Sequence, residues 1–159
     1  PIHFRGVATV VTKLINLARA DKAFFGQKDA QQVVVVKRFV SDLNIPVEIT
    51  MVPIVREESG LARSSRNRYL SEAEKEAALI LSKSLKAGQK AFEGGEKDAR
   101  KLEEIVTEKI KTEPMSVIDY VKVYSWPYLE PVDTVEGEAL MAIAVRIGTT
   151  RLIDNIILK

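Results

Sequence analysis

Two short stretches of this sequence carry residue types suited to holding an anionic ligand. The first, Gly26-Gln27-Lys28-Asp29, follows the apolar run Ala23-Phe24-Phe25. A glycine there lets a ligand approach the backbone with no Cβ in the way. Lys28 offers a compact, mobile cation for phosphate oxygens. Asp29 offers a carboxylate that can accept hydrogen bonds from ribose hydroxyls. Gln31 and Gln32 add amides able to orient a small polar acid. The same residues also fit a plain polar loop in which Asp29 caps the next helix, since short polar turns after strands are common.

The second stretch runs from Arg56 to Tyr69. It holds Arg56, Arg63, Arg66 and Arg68 together with Glu57, Glu58, Ser59, Gly60, Ser64, Ser65 and Asn67. A planar guanidinium donates several hydrogen bonds to phosphate at once. Serine hydroxyls and exposed amides would complete an anion site, and Gly60 would give a hinge. A loop this long between elements is often a lid or binding loop. A solvated linker with charges of both signs would have the same composition.

The elements that position these stretches can be read from periodicity. Val7, Val10, Val11, Leu14 and Leu17 recur at helical spacing and predict a largely buried helix over Gly6 to Ala20. Residues 23–25 read as a buried strand ending at Gly26. A helix should follow from Gln31 to Leu43, with Asp29 near its start. The run Val33 to Val36 competes as strand, but a helix places Lys37, Arg38 and Asp42 on one solvent side. Residues 47–52 alternate and stop at Pro53, predicting a second strand. Helix, strand, helix, strand implies right-handed crossovers and a parallel sheet. Ligands of such sheets lie beyond the carboxyl ends of the strands, where both stretches begin.

A second unit follows. Ser71 and Glu74 have the spacing of a capping box. The helix they open should reach about Phe92 and stop at Gly94-Gly95. An amphipathic helix should span Asp98 to Thr112, with Pro114 beyond it. Strands are expected at 118–125, 139–147 and 151–158, the last two joined tightly at Gly148-Thr149-Thr150 in an antiparallel sheet. Tyr120, Tyr124, Trp126 and Tyr128 fit the core and rim of this unit. His3, beside Phe4, reads as structural. The division falls between residues 56 and 70, giving units 1–62 and 63–159.

Composition bounds the rest. The 159 residues suffice for one domain or two small ones, and 46% hydrophobic with 29% charged residues is a globular balance. A net charge of +2 gives no bulk attraction to nucleic acid or membrane. Without cysteine no disulfide can form, and with one histidine a structural zinc site is not expected. No apolar run reaches the roughly 18 residues of a membrane span, and no signal peptide opens the chain, so a cytoplasmic setting is the default. Pro1-Ile2-His3-Phe4 is not a natural initiation sequence, which leads us to expect a product of truncation or processing.

Taken in order, His3-Phe4-Arg5-Gly6-Val7, residues 24–32, Pro53-Ile54-Val55-Arg56-Glu57, residues 60–70 and Thr150-Arg151-Leu152-Ile153-Asp154-Asn155 resemble the pantothenate synthetase (pantoate–β-alanine ligase) family. The resemblance spans essentially the whole chain. It implies an α/β fold: part of a Rossmann-like, nucleotidyltransferase-type parallel sheet, then a small α+β C-terminal lid domain with an antiparallel sheet. It implies an AMP-forming ligase that uses ATP and Mg²⁺ to join pantoate to β-alanine through pantoyl adenylate, working as a cytoplasmic homodimer. Carried over by position, Gly26, Gln27, Lys28 and Asp29 match the loop that holds ATP, and Gln32 the glutamine that orients pantoate. Val55 matches a position on the adenine side, reached through its backbone. Arg63, Ser64, Ser65 and Arg66 match the mobile loop that closes on the triphosphate, so Lys28, Ser64, Ser65 and Arg66 are the expected catalytic group. No residue is assigned to a metal. His3 matches a histidine near the site, without an assigned role.

Departures accompany these matches. The family's Met-Gly-Ala-Leu-His-Glu-Gly-His type segment has no counterpart in this sequence. Arg63 stands where Met or Leu is usual, and Gln27 where Glu is commoner. The expectation is therefore a truncated ligase, inactive as it stands. The alternative is a non-catalytic nucleotide-binding or interaction domain derived from that enzyme. An adenylyl- or cytidylyltransferase for another substrate is disfavoured by Gln32 and the Ser64-Ser65-Arg66-Asn67 run.

Overall fold

The computed structural model describes residues 2–159, so Pro1, with which the first predicted unit opens, lies outside the described residues. The backbone divides into two compact units, Pro1–Ile54 and Val55–Lys159.

The first unit comprises α1 (Ile2–Ala18), β1 (Lys22–Gly26), α2 (Ala30–Asp42) and β2 (Glu48–Val52). β1 and β2 pair in parallel, from Lys22 opposite Glu48 to Gly26 opposite Val52. The Val33–Val36 run is helical. At a period of 3.6 residues Val33, Val36 and Val40 fall on one buried face, so burial overrides the β preference of branched side chains. Val7, Val11 and Ile15 of α1 pack with Val36 and Val40, and Phe25 and Ile49 join them.

Two expectations fail in this unit. α1 is not largely buried: Val10, Leu14 and Leu17 are 55%, 59% and 79% exposed. β1 is not a buried strand either, because Phe24 is 65% exposed while its neighbour Phe25 turns inward. The cause is the same for both. Successive strand side chains alternate faces, and among the described residues packing partners cover Val7, Val11, Ile15 and Phe25 but leave Val10, Leu14, Leu17 and Phe24 exposed.

The second unit contains α3 (Glu72–Glu93), α4 (Ala99–Lys111), β3 (Ser116–Ser125), β4 (Ala139–Ile147) and β5 (Thr150–Leu158). Ser71 and Glu74 form the predicted capping box: the Ser71 hydroxyl accepts from the Glu74 N–H at 3.3 Å, and the Glu74 carboxylate accepts from the Ser71 N–H at 2.8 Å. The helix ends at Gly94, as expected. Asp98 caps α4 by accepting from the Lys101 N–H at 3.0 Å. The strands form an antiparallel sheet ordered β3-β4-β5. Gly148 opens the two-residue connection between β4 and β5 with φ +56, a value that suits glycine.

Central β4 is buried at every position except Arg146, and α3 and α4 cover the sheet with Leu81, Leu85, Leu102, Val106 and Ile110. Tyr120, Tyr124 and Trp126 are half-buried, whereas Tyr128 is exposed. Among the described residues no helix is long and apolar enough to cross a membrane.

Candidate functional site

In the first unit the site residues follow directly from the end of β1. Gly26 closes the strand, Gln27–Asp29 form one 3-10 turn, and Ala30 begins α2. Gln27 and Lys28 are half-buried and Asp29 is exposed. Gln32 lies one helical turn beyond Asp29, half-buried in the first turn of α2. The backbone thus gathers Gly26, Gln27, Lys28, Asp29 and Gln32 at the carboxyl end of a parallel strand.

Asp29 occupies the N-cap position of α2 but its side chain makes no cap hydrogen bond. The reading of Asp29 as a plain helix cap therefore fails. Its backbone, at φ −102 and ψ 51, lets the 3-10 turn pass into the helix, and the carboxylate is not spent on the helix. Gly26 is equally uncommitted. Its φ of −72 is open to any residue, and a Cβ built there would meet nothing within 4 Å. Neither backbone strain nor packing among the described residues calls for a glycine at this point.

In the second unit the stretch from Val55 onward is a tight hairpin rather than an open linker. Arg63 N–H donates to Val55 C=O at 2.9 Å, Arg56 and Ala62 form an antiparallel bridge, and Glu57 N–H donates to Leu61 C=O at 2.8 Å. Gly60 N–H closes the turn on Glu57 C=O at 2.8 Å. With φ +94, Gly60 is the turn residue of this hairpin and not a hinge. Residues 55–62, grouped from sequence with the first unit, are joined to the second by these bonds and by Arg56.

Arg56 is not one of the available cations. Its guanidinium makes a two-point contact with Asp154 in β5, at 2.7 and 3.0 Å, and also donates to Gly60 C=O at 3.2 Å. The Asp154 side chain is 2% exposed and that of Arg56 27%, so a partly buried ion pair holds the hairpin to the sheet. Arg68 lies over the Tyr69 ring, 5.2 Å from its centroid. Arg63 and Arg66 remain as exposed guanidinium groups of the original set.

A 3-10 turn over Ser65–Tyr69 follows the hairpin. The Ser64 hydroxyl oxygen caps it by accepting from Arg66 N–H at 3.2 Å, leaving the O–H proton to donate elsewhere. Asn67, 7% exposed, donates both amide hydrogens, to Glu57 Oε1 at 3.0 Å and to Ala62 C=O at 3.1 Å. Arg63, Ser64, Ser65 and Arg66 therefore project between two anchored points, Ala62 and Asn67. Val55 is 62% exposed, and its carbonyl already accepts from Arg63 N–H.

The sequence reading missed Asp154 and Asn67 as organisers of this segment. A signal for Asp154 was present: a carboxylate inside a strand of Ile and Leu needs a buried partner. His3 is exposed and meets Phe4 edge to face, with ring centroids 5.3 Å apart. Among the described residues no group of three or more His, Asp or Glu side chains could hold a metal ion.

A sequence profile of the pantoate–beta-alanine ligase family matches residues 1–157. Pantothenate synthetase from Pelotomaculum thermopropionicum is 58% identical over 158 residues, covering 99% of this chain and 56% of that protein. The pantothenate synthetase of Heliobacterium modesticaldum is 54% identical, covering 100% and 57%. A crystal structure of pantothenate synthetase from Thermus thermophilus superposes with a TM-score of 0.92 at 41% identity, over 98% of this chain and 56% of that one. A Francisella tularensis pantoate–beta-alanine ligase, complexed with beta-gamma ATP and beta-alanine, superposes with a TM-score of 0.69 at 28% identity, over 98% and 51%. The chain spans about half the length of the curated relatives it matches.

Proposed function

This chain belongs to the pantoate–beta-alanine ligase family, and from that premise we propose that it carries the nucleotide-handling loops of an ATP-dependent ligase that condenses pantoate with β-alanine. The observation that carries this reading is the uncommitted pair at the end of β1. Gly26 is demanded by neither strain nor packing, and Asp29 is not spent on its helix. Both make sense when a ligand comes up to that strand end.

In the first unit, Gly26 and Gln27 line the approach of ATP, Lys28 neutralises phosphate charge, Asp29 accepts from the ribose hydroxyls, and Gln32 orients pantoate. In the second unit, Val55 contributes to the adenine side. Arg63, Ser64, Ser65 and Arg66 receive the triphosphate, with Ser64 donating its free O–H proton. Units 1–54 and 55–159 correspond in this reading to part of a nucleotide-binding domain and a lid.

The reaction runs in two steps. The pantoate carboxylate attacks the α-phosphorus of ATP, an O–P bond forms, and the bond to pyrophosphate breaks. The β-alanine amine then attacks the acyl carbon of pantoyl adenylate, and AMP leaves with the former carboxylate oxygen. An ionised carboxylate needs no general base for the first step. The difficulty is electrostatic, because anions approach one another while charge builds on pyrophosphate. Fixed cations from Lys28, Arg63 and Arg66 and firm positioning address that barrier. Mg²⁺ suits such chemistry as a phosphate-bound ion that keeps several waters.

In this reading the 159 residues, which span 56% of the Pelotomaculum protein, bind nucleotide and leave the complete ligation to the whole enzyme. The full activity, in a cytoplasmic homodimer, requires the remainder of the enzyme. The second reading is a nucleotide-binding or interaction domain with no catalytic role. Calorimetric titration with ATP and Mg²⁺ tests the nucleotide assignment. Saturable binding that weakens at least about tenfold, some 1.4 kcal/mol, in Lys28→Ala is expected. A folded chain that takes up no heat from ATP would sink it. If the remaining segment of a relative, added in trans, restores AMP release, the ligase reading stands over the second one.

A further inference from the structure

We propose that Asp154 is a positioning residue for the nucleotide: through Arg56 it holds the Val55–Arg63 hairpin in the shape that presents Val55 and Arg63 to Arg66. The proposal rests on the nucleotide-binding reading of those residues. Asp154 lies in β5, where its side chain is 2% exposed, and that of Arg56 is 27% exposed. An apolar side chain of similar size would pack a sheet interior as well or better, because a buried ion pair carries a desolvation cost close to its Coulombic gain. What the pair adds is geometry.

The contact has four parts. Arg56 Nη1 and Nη2 donate to the two carboxylate oxygens at 2.7 and 3.0 Å, and Nη1 donates also to Gly60 C=O at 3.2 Å. Asn155 N–H donates to Asp154 Oδ1 at 2.8 Å, which fixes the carboxylate plane. A planar fork held at both oxygens cannot rotate as a single-point lysine contact would. Arg56 is the chain neighbour of Val55, whose carbonyl receives the Arg63 N–H. The turn carbonyl at Gly60 and the strand end at Val55 are thus tied to the same guanidinium, and through it to the sheet. Releasing Asp154 unties from the sheet the hairpin that leads into Ser64, Ser65 and Arg66.

The test uses the isotopically labelled 159-residue chain, its Asp154→Asn and Arg56→Lys variants, and ATP with Mg²⁺ as the probe. Amide exchange of Glu57, Gly60 and Arg63 should accelerate in both variants while amides of β4 keep their protection. Affinity for ATP should fall at least about tenfold, as it does when a binding-competent shape drops to a tenth of the population. Unchanged exchange in the hairpin overturns the proposal. So does faster exchange with unaltered ATP affinity, which would make the pair a matter of stability alone. Should Asp154→Asn fail to fold, Arg56→Lys keeps the charge, loses the fork and gives the same readings. If ATP shifts no amide of residues 26–32 or 63–66 in the unsubstituted chain, the nucleotide reading falls and the positioning role falls with it. Normal shifts with no loss in the variants remove the positioning role only.

Discussion

Asn67 gives both amide hydrogens to neighbouring oxygens, while its own Oδ1 is buried without a partner. Truncation to alanine leaves the Ala62 carbonyl unpaired, a loss of about 1–3 kcal/mol, and also removes the orphaned oxygen, which offsets part of it. Asn67→Ala should therefore destabilise by about 1–2 kcal/mol, read as a lower urea midpoint with an unchanged slope. A midpoint that does not move would mean Asn67 anchors nothing. At this scale the sequence was legible wherever the partner is near in the chain. Ser71 and Glu74 are three residues apart, and a local rule pairs them. Arg56 and Asp154 are 98 residues apart, and no local rule distinguishes Arg56 from Arg63 or Arg66. The four arginines of the loop look alike in sequence, and the fold alone singles out Arg56 as an anchor.

Among the elements, the β3-β4-β5 sheet illustrates how backbone irregularity aims a side chain. Ile118 pairs with Val145 and Tyr120 with Ala144, so Asp119 is the extra residue of a bulge. Re-aimed in this way, its carboxylate accepts from Arg151 at 2.6 Å and Arg146 at 3.1 Å. Hydrogen bonds from Arg151 and then Arg146 hold Asp119 below the usual carboxylate range, against a smaller opposing effect of burial. A carboxyl whose pKa is lower when folded stabilises the fold above its unfolded pKa, and this contribution is lost as pH falls through the folded value. Asp119→Asn should accordingly lower the urea midpoint near pH 6, and the gap to the unsubstituted chain should close towards about pH 2. A gap independent of pH would show that the arginines do not act on Asp119. Regular elements were readable because local pattern and burial agree, as in α3, α4 and β4. α1 and β1 misled for a physical reason. Apolar periodicity marks a face that can be buried, and only packing partners decide whether Leu17 or Phe24 is covered.

At the scale of the molecule, each unit has its own core, and the two cores differ in size. The buried cluster of the first unit is Ile15, Val36 and Val40, whereas that of the second extends through α3, α4 and all three strands. Local opening is easiest where few buried contacts must break. Amides of α2 should therefore exchange faster than those of β4. Residues 55–159 expressed alone should keep the β4 protection, and its loss on removing 1–54 would show that the second core is not self-sufficient. The Arg56–Asp154 pair has a consequence in time as well as in space. A ribosome adds about 5–20 residues per second, so the 98 residues separating the partners take about 5–20 s to synthesise. Throughout that interval the hairpin can close on its own backbone bonds but lacks its tie to the sheet. Only when β5 has emerged does Arg56 find its carboxylate, so the last strand translated is the one that completes the first loop of its unit.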